Sequence, residues 1–210
     1  MTHLFKIFGA LALLILAPFA QAQDVWITRE LPFVEFEVDG ESYVIERNQD
    51  NAAVIAPEFA KTSRPCPPFC VQPTQVAEGV KTVTELDVLD FLQDRVANGT
   101  GLLIDARTRK FFVTGTIPGA VNIPYKQFST NADNTDLAGA LTQIGGKPAG
   151  KDWDFSGAKD LLLFCNGPWC GQSPAAIRNL LKLGFPAEKL LYYRGGMQDW
   201  HALGLTVLVP

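Results

Sequence analysis

The sequence has little histidine and no cluster of basic residues. Two histidines occur among 210 residues, and 18 lysines and arginines are outnumbered by 22 aspartates and glutamates, which gives a net charge of -4. No run rich in Lys or Arg occurs, so the electrostatic footprint of a nucleic-acid surface is missing. A nucleic-acid partner is therefore excluded from the expected functions.

Long apolar runs are also missing outside the N-terminus. Residues 7–19 form an apolar stretch behind Lys6, and Ala20-Gln21-Ala22 supplies the small residues of a cleavage site. This pattern is typical of a secretory signal peptide, residues 1–22, and the stretch is shorter than the roughly 20 residues of a spanning helix. We expect a mature chain without a membrane span, located in the periplasm or secreted.

The remaining composition suits a folded protein, with 47% hydrophobic and 19% charged residues. Residues 33–38 alternate apolar and charged, Asp39-Gly40 is a hairpin turn signal, and residues 42–46 return as a second strand. A hairpin alone is marginally stable, so it should pack on the main domain. We assign residues 23–79 to this β-hairpin appendage and a Cys/Pro-rich linker, and residues 80–210 to the main domain.

The four cysteines form two close pairs, Cys66 with Cys70 and Cys165 with Cys170. An exported chain favours disulfides, but four cysteines allow three connectivities and the sequence does not choose among them. The proline-rich setting of Cys66 and Cys70 suits either a structural staple or a redox pair. Zinc is not expected, because the spacings are unusual and His201 is the one histidine of the mature chain.

Helix and strand patterns alternate beyond residue 80. A parallel sheet with helices on both faces follows from this alternation. We predict helices at residues 84–92, 136–144, 174–184 and 197–203, strands at 101–105, 120–124, 161–164 and 190–193, and connections without regular structure at 108–119 and 147–157.

Cys165 directly follows the apolar strand at residues 161–164 and precedes a Gly/Pro-punctuated loop that enters a helix. Ligands bind at the carboxyl ends of parallel strands, and N–H groups at a helix entrance bind anions and lower a thiol pKa. Cys165 is therefore the candidate nucleophile. The predicted N–H donors around it belong to Asn166, Gly167, Trp169, Cys170, Gly171, Gln172 and Ser173.

Four motifs, in this order and spacing, resemble the rhodanese family: LIDAR at 103–107, GTIPGAVNIP at 115–124, the Cys165 strand-loop-helix, and RGGMQDW at 194–200. The resemblance covers about residues 80–208. It implies an α/β fold with a rhodanese-like parallel sheet and helices on both faces, to which the hairpin pattern adds a small β-rich N-terminal appendage. It also implies a sulfurtransferase of the thiosulfate type, in which a Cys165 persulfide takes sulfur from a small sulfur-containing anion and passes it to a thiol, without metal or cofactor.

The loop departs from the common rhodanese pattern. It is interpreted as residues 165–172 with Ser173 as the helix cap, which is longer than usual, and it contains no arginine. A phosphatase of this fold would need a loop arginine to clamp the phosphate dianion. For a sulfur dianion, Arg194 or Arg107 would have to supply the positive charge.

Cys170 opens two alternatives. It could attack a persulfide on Cys165, releasing sulfide, or cycle with Cys165 between dithiol and disulfide, with Cys66 and Cys70 as a second pair and a thiol or redox protein as partner. Alternatively, Cys165 and Cys170 are oxidised together and the chain is a catalytically inactive binding module.

Several residues near the site have structural interpretations. Asp105 and Arg107 are expected to pair and brace loops at the carboxyl edge of the sheet, and Gly195 and Gly196 to allow a close backbone approach behind the loop. Trp169 is a candidate pocket wall. Core or packing positions are predicted for Phe185, Trp200 and His201.

Overall fold

The computed structural model describes residues 24–210, so the predicted signal peptide lies outside the described residues. The strands, in chain order, are β1 (Phe33–Val38), β2 (Glu41–Glu46), β3 (Lys81–Val83), β4 (Gly101–Asp105), β5 (Val121–Asn122), β6 (Lys147–Ala149), β7 (Asp152–Asp154), β8 (Asp160–Phe164) and β9 (Leu190–Tyr193). The α-helices are α1 (Pro57–Ala60), α2 (Glu85–Phe91), α3 (Arg109–Phe112), α4 (Leu137–Gln143), α5 (Gln172–Lys182) and α6 (Gly196–Ala202).

The predicted N-terminal hairpin is confirmed. Strands β1 and β2 pair antiparallel, and Asp39 and Gly40 both have positive φ at the turn between them. An Asp-Gly pair suits such a turn, because aspartate tolerates this backbone region and glycine adopts it freely. The buried side chains Val34 and Ile45 point from the hairpin into the protein.

Five strands form a central parallel sheet in the order β3-β9-β8-β4-β5. The inner strands are almost continuous apolar runs, as expected for strands covered on both faces. In the register, Leu163 of β8 lies opposite Ile104 of β4 and Tyr192 of β9. The predicted α/β class with a parallel sheet is therefore confirmed, and β8, which leads to Cys165, is the middle strand.

Two hydrophobic cores lie on opposite faces of this sheet. Helices α4 and α5 cover one face, where Leu141 and Ile177 are fully buried. Helices α2 and α6 cover the other, where the hairpin side chains Val34 and Ile45 join Trp200. Phe185 and Trp200 are buried, as predicted.

Local differences from the predicted elements involve short segments. Helix α3 occupies part of residues 108–119, and the hairpin β6–β7 occupies part of residues 147–157. The side chains of β6 are all exposed, so the sequence has no apolar alternation from which that strand could be predicted. Within residues 24–210, no helix combines the length and apolar character needed to cross a membrane.

Candidate active site

The candidate site lies where the three inner strands of the sheet end. Cys165 follows β8, Asp105 closes β4, and Arg194 follows β9. Parallel strands bring these three ends to one edge, so residues that are distant in the sequence meet there. The loop after β8 comprises residues 165–171, because α5 begins at Gln172.

Ser173 is not the helix cap, which corrects the predicted role. Gly171 occupies the cap position without a side-chain hydrogen bond, and α5 begins two residues earlier than predicted. The Ser173 hydroxyl instead donates a hydrogen bond to Cys165 Sγ at 3.0 Å. The side chain interpreted as a helix signal therefore serves the candidate nucleophile.

The Cys165 thiol is enclosed. It is 2% exposed and donates to the carbonyl oxygen of Cys170 at 3.3 Å. Burial raises the pKa of Cys165 well above the usual thiol range, and the neighbouring Cys170 raises it further, whereas the Ser173 hydroxyl and N–H lower it. The predicted low pKa at Cys165 is therefore wrong for this closed arrangement.

The pKa of Cys170 shifts in the opposite direction to that of Cys165. The neighbouring Cys165 side chain, ahead of the backbone N–H groups of Gln172 and Asn166, lowers the pKa of Cys170 to about 7 against the opposing effect of burial. Hydrogen bonds to an anion favour the ionised form. The loop amides predicted to hold an anion thus act on both sulfurs, and they leave the pKa of Cys170 below that of Cys165.

The pH dependence of thiolate formation tests this assignment. Thiolate absorbance in the ultraviolet should rise with a midpoint at about pH 7, because Cys170 is protonated below its pKa and ionised above it. In Cys170→Ser the transition should move to higher pH, since burial raises the pKa of the remaining Cys165 thiol. A midpoint near neutrality that persists in Cys170→Ser would assign the low pKa to Cys165.

The segment behind the loop holds its backbone in place. The N–H groups of Met197 and Gln198 donate to the carbonyls of Cys165 and Asn166 at 3.0 and 2.9 Å. Gly196 has φ +56, and a Cβ there would overlap the Cys165 carbonyl oxygen. The predicted close backbone approach behind the loop is confirmed.

Gly195 and Gln198 also contribute to the close packing between the RGGMQDW segment and the loop. A Cβ on Gly195 would lie 2.7 Å from the carboxylate of Asp199, so this glycine also sits in a crowded place. The indole N–H of Trp169 donates to the side-chain oxygen of Gln198. Gln198 lies within the RGGMQDW motif, but only the folded chain reveals its contact with the loop.

Asp105 and Arg107 form a buried ion pair, as predicted. Arg107 Nη2 lies 2.6 Å from Asp105 Oδ2, and both side chains are almost fully buried. Thr116 Oγ1 donates to the same carboxylate oxygen at 2.8 Å. Arg107 also donates to the Gly115 carbonyl at 2.5 Å and to the side-chain oxygen of Asn166 at 3.4 Å. All three guanidinium nitrogens are engaged, so Arg107 braces the loop from behind.

Residues 64–72 lie across the loop, and we call this segment the strap. It contains the Cys66–Cys70 disulfide, with a Cα–Cα distance of 4.6 Å, whereas Cys165 and Cys170 are free thiols. The Gln72 N–H donates to the Pro168 carbonyl at 2.8 Å. This placement joins a linker to the site and was not foreseen from the sequence.

Trp169 is the side chain through which the strap grips the loop. The guanidinium of Arg64 lies 3.7 Å from the centre of the Trp169 ring system, and the Phe69 ring meets it edge-on at 5.7 Å. Cation–π and edge-to-face contacts of this kind are attractive. Trp169 is therefore covered by the strap rather than being an open pocket wall.

Arg194 is engaged by the strap as well. Its Nε and Nη2 donate to the Gln72 carbonyl at 3.1 and 2.9 Å. The cation predicted to attract an anionic substrate thus holds a backbone carbonyl. His201 stacks on Phe59 at 4.4 Å, in agreement with a packing role.

Two buried polar atoms at or near the site lack a hydrogen-bond partner among the described residues, Tyr192 Oη and Gln172 Oε1. Burial raises the pKa of Tyr192, and the charges of Cys165 and Cys170 raise it further. Sequence patterns marked Tyr192 as a strand residue only. Tyr192 lies opposite Leu163 in the sheet, and Leu163 stands two residues before Cys165. This register is the signal that identifies Tyr192 as a residue near the site.

Known proteins similar to this chain share its main domain. Residues 88–203 match the family model of the rhodanese-like domain. An HTH-type transcriptional regulator of Mycobacterium tuberculosis is 28% identical over 109 residues, which are 52% of this chain and 38% of the regulator. The chain therefore spans well under half of that relative.

Solved structures with a similar fold include a rhodanese-related protein from Thermoplasma volcanium, 18% identical, covering 62% of this chain and 99% of its own, with a TM-score of 0.41. A human single-domain sulfurtransferase is 23% identical, covering 58% of this chain and 95% of its own, with a TM-score of 0.39. With the match to more than half of its residues, this chain belongs to the rhodanese-like domain family.

Proposed function

We propose that the protein is an exported sulfurtransferase that carries a sulfane sulfur as a persulfide on Cys165. The observation that supports this most is the hydrogen bond from Ser173 Oγ to Cys165 Sγ, 3.0 Å long, at the carboxyl end of the middle strand. A hydroxyl donor at this position stabilises negative charge on the sulfur. The family membership agrees with this chemistry, and the predicted signal peptide supports a location in the periplasm or outside the cell.

The proposed first half-reaction loads sulfur onto Cys165. Its thiol proton passes to the thiolate of Cys170, whose pKa is lowered to about 7. The Cys165 sulfur then attacks the sulfane sulfur of thiosulfate, the bond between the two sulfurs of thiosulfate breaks, and sulfite leaves with the bonding electrons. In the second half-reaction an acceptor thiolate attacks the outer persulfide sulfur, and Cys165 leaves as a thiolate.

Mass spectrometry of the reduced protein after treatment with thiosulfate tests the proposal. Wild type and Cys170→Ser should each gain about 32 Da, the mass of one sulfur atom, whereas Cys165→Ser should gain nothing. The gain should disappear when a thiol acceptor is added. Addition in Cys165→Ser, or its absence from both of the other proteins, would contradict a Cys165 persulfide.

A second candidate function is favoured by the position of Cys170, a second free thiol in the loop whose backbone carbonyl accepts the Cys165 S–H at 3.3 Å. Because both free thiols belong to the same loop, the Cys170 thiolate could attack the inner sulfur of a persulfide on Cys165, releasing sulfide and leaving a Cys165–Cys170 disulfide. In that case wild type would lose the added sulfur without an acceptor, whereas Cys170→Ser would retain it. If the wild type forms a disulfide and never gains sulfur, the protein cycles between dithiol and disulfide. If neither change occurs, the chain is a binding module.

A further inference from the structure

The strap covers the loop that contains the two enclosed thiols. Cys165 and Cys170 are 2% and 4% exposed, although a sulfur carrier must reach both donor and acceptor. The loop that holds them is covered through Trp169 and Pro168, which contact Arg64, Phe69 and the Gln72 backbone. Access to the thiols therefore depends on the position of residues 64–72.

The same segment competes with an anion for the nearby cation. Arg194 directs two donors to the Gln72 carbonyl, which is a neutral partner. A guanidinium binds a sulfur oxyanion more strongly than a carbonyl, because both partners are then charged. Displacing the strap would uncover the thiols and free these two donors in one movement.

The disulfide gives the strap its shape. The Cys66–Cys70 bond closes a ring, and the N–H of Phe69 within it donates to the carbonyl of Pro65, just before the ring, at 3.0 Å. The Gln72 side chain donates to the Cys70 carbonyl at 2.9 Å, which connects the ring to the residue that contacts the loop. A cross-link of this kind reduces the conformations that an undocked segment can adopt, so it favours the docked form.

The disulfide is also accessible to a reductant. Cys66 is exposed and Cys70 is half-buried, in contrast to the two enclosed thiols of the site. Val71, which is 78% exposed, adds an apolar side chain beside the bond. A thiol nucleophile can therefore reach this bond while the site remains closed.

We propose that Cys66–Cys70 is a reducible clasp, opened by a dithiol reductant, whose reduction releases the strap and exposes Cys165. A thiolate of the reductant attacks Cys66 Sγ, the bond to Cys70 breaks, and Cys70 leaves as a thiolate that takes up a proton. The second thiol of the reductant resolves the mixed disulfide and releases Cys66. Two electrons and two protons pass from the dithiol, which becomes a disulfide. The consequence for sulfur transfer depends on the proposed function, whereas the opening itself does not.

Alkylation of Cys165 by iodoacetamide measures the opening. All proteins carry Cys170→Ser, so that no second disulfide can form in the loop. Adding Cys66→Ser and Cys70→Ser should accelerate alkylation of Cys165 at least about tenfold, since exposure of a covered group follows the local opening equilibrium. Reduction with dithiothreitol, which is removed before iodoacetamide is added because its own thiols consume that reagent, should give the same acceleration in the protein that retains Cys66 and Cys70, and none in the protein that lacks them.

Matched variants separate release of the strap from general loosening. Gln72→Pro and Gln72→Ala both lose the side-chain hydrogen bond, but only proline removes the N–H that donates to Pro168. Gln72→Pro should therefore accelerate alkylation more than Gln72→Ala. Ile45→Val, a substitution at a buried position in the N-terminal hairpin and outside the strap, should leave the alkylation rate unchanged.

Equal alkylation rates with the disulfide intact and reduced would overturn the clasp. So would failure of both dithiothreitol and a thioredoxin to reduce Cys66–Cys70 in the folded protein. Acceleration by thioredoxin identifies a protein dithiol as sufficient, and acceleration by dithiothreitol alone identifies a small dithiol. Because alkylation reports access and not sulfur loading, a failure to form the persulfide would refute the proposed function without affecting this result.

Discussion

Gly196→Ala is expected to destabilise the protein by about 2–4 kcal/mol, one of the two largest effects among single substitutions considered for this chain. The residue has φ +56, which is unfavourable for alanine, and its Cβ would overlap the Cys165 carbonyl and lie 2.9 Å from the Gly167 nitrogen. These atoms belong to the backbone of the site loop and cannot swing aside. Urea unfolding gives the free-energy change.

Gly150→Ala is the matched control for this change. Gly150 has a similar φ of +68, but nothing lies within 4 Å of the position of its Cβ. Alanine there should cost only about 1–2 kcal/mol, the conformational part alone. If the two substitutions destabilise the protein equally, the close approach behind the loop does not contribute.

Arg107→Met should destabilise the protein by about 3–5 kcal/mol, because it leaves the Asp105 carboxylate buried without its cation. The pair is 1% and 0% exposed, and Arg107 also holds the Gly115 carbonyl and the Asn166 side chain. The measured quantity is again the free energy of unfolding in urea. The loss of the contact to Asn166 should in addition loosen the loop that carries Cys165.

A double substitution distinguishes an unpaired charge from lost packing. Asp105→Asn combined with Arg107→Met removes both charges, so the double variant should be more stable than Arg107→Met alone. Lys81→Met provides a surface comparison, since its ion pair with Asp87 has side chains 68% and 39% exposed. That change should cost less than about 1 kcal/mol. A double variant as unstable as the single one would assign the loss to packing.

The sheet and its helices could be predicted because their signals are local. Apolar runs such as the one before Cys165, the Thr84 helix start and the Asp39-Gly40 turn each report the conformation of their own segment. The order of strands and helices then restricts the topology to a parallel sheet. The Asp105–Arg107 ion pair could also be predicted, because the two residues are separated by one position at the end of a strand.

The strap could not be predicted, because its contacts join residues 64–72 to a loop about a hundred positions later through backbone carbonyls and an aromatic ring. Such groups occur in every sequence and carry no periodic pattern. The charge of the thiol pair depends on the same closure. Once the loop is covered, burial raises the pKa of Cys165, whereas the neighbouring Cys165 side chain and the loop N–H groups lower the pKa of Cys170. Ser173 was misassigned because a hydroxyl at a helix start serves a cap or a neighbouring sulfur equally well.

The hairpin changes where the folding unit of this protein begins. The family match starts at residue 88, within α2, yet Val34 and Ile45 are 1% and 0% exposed in the core that also contains Trp200. A fragment cut at the family boundary would lose strand β3 and the hairpin side chains that help α2 and α6 to cover one face of the sheet. The hairpin and β3 are therefore an integral part of the domain. A fragment without them would expose an apolar surface that favours aggregation.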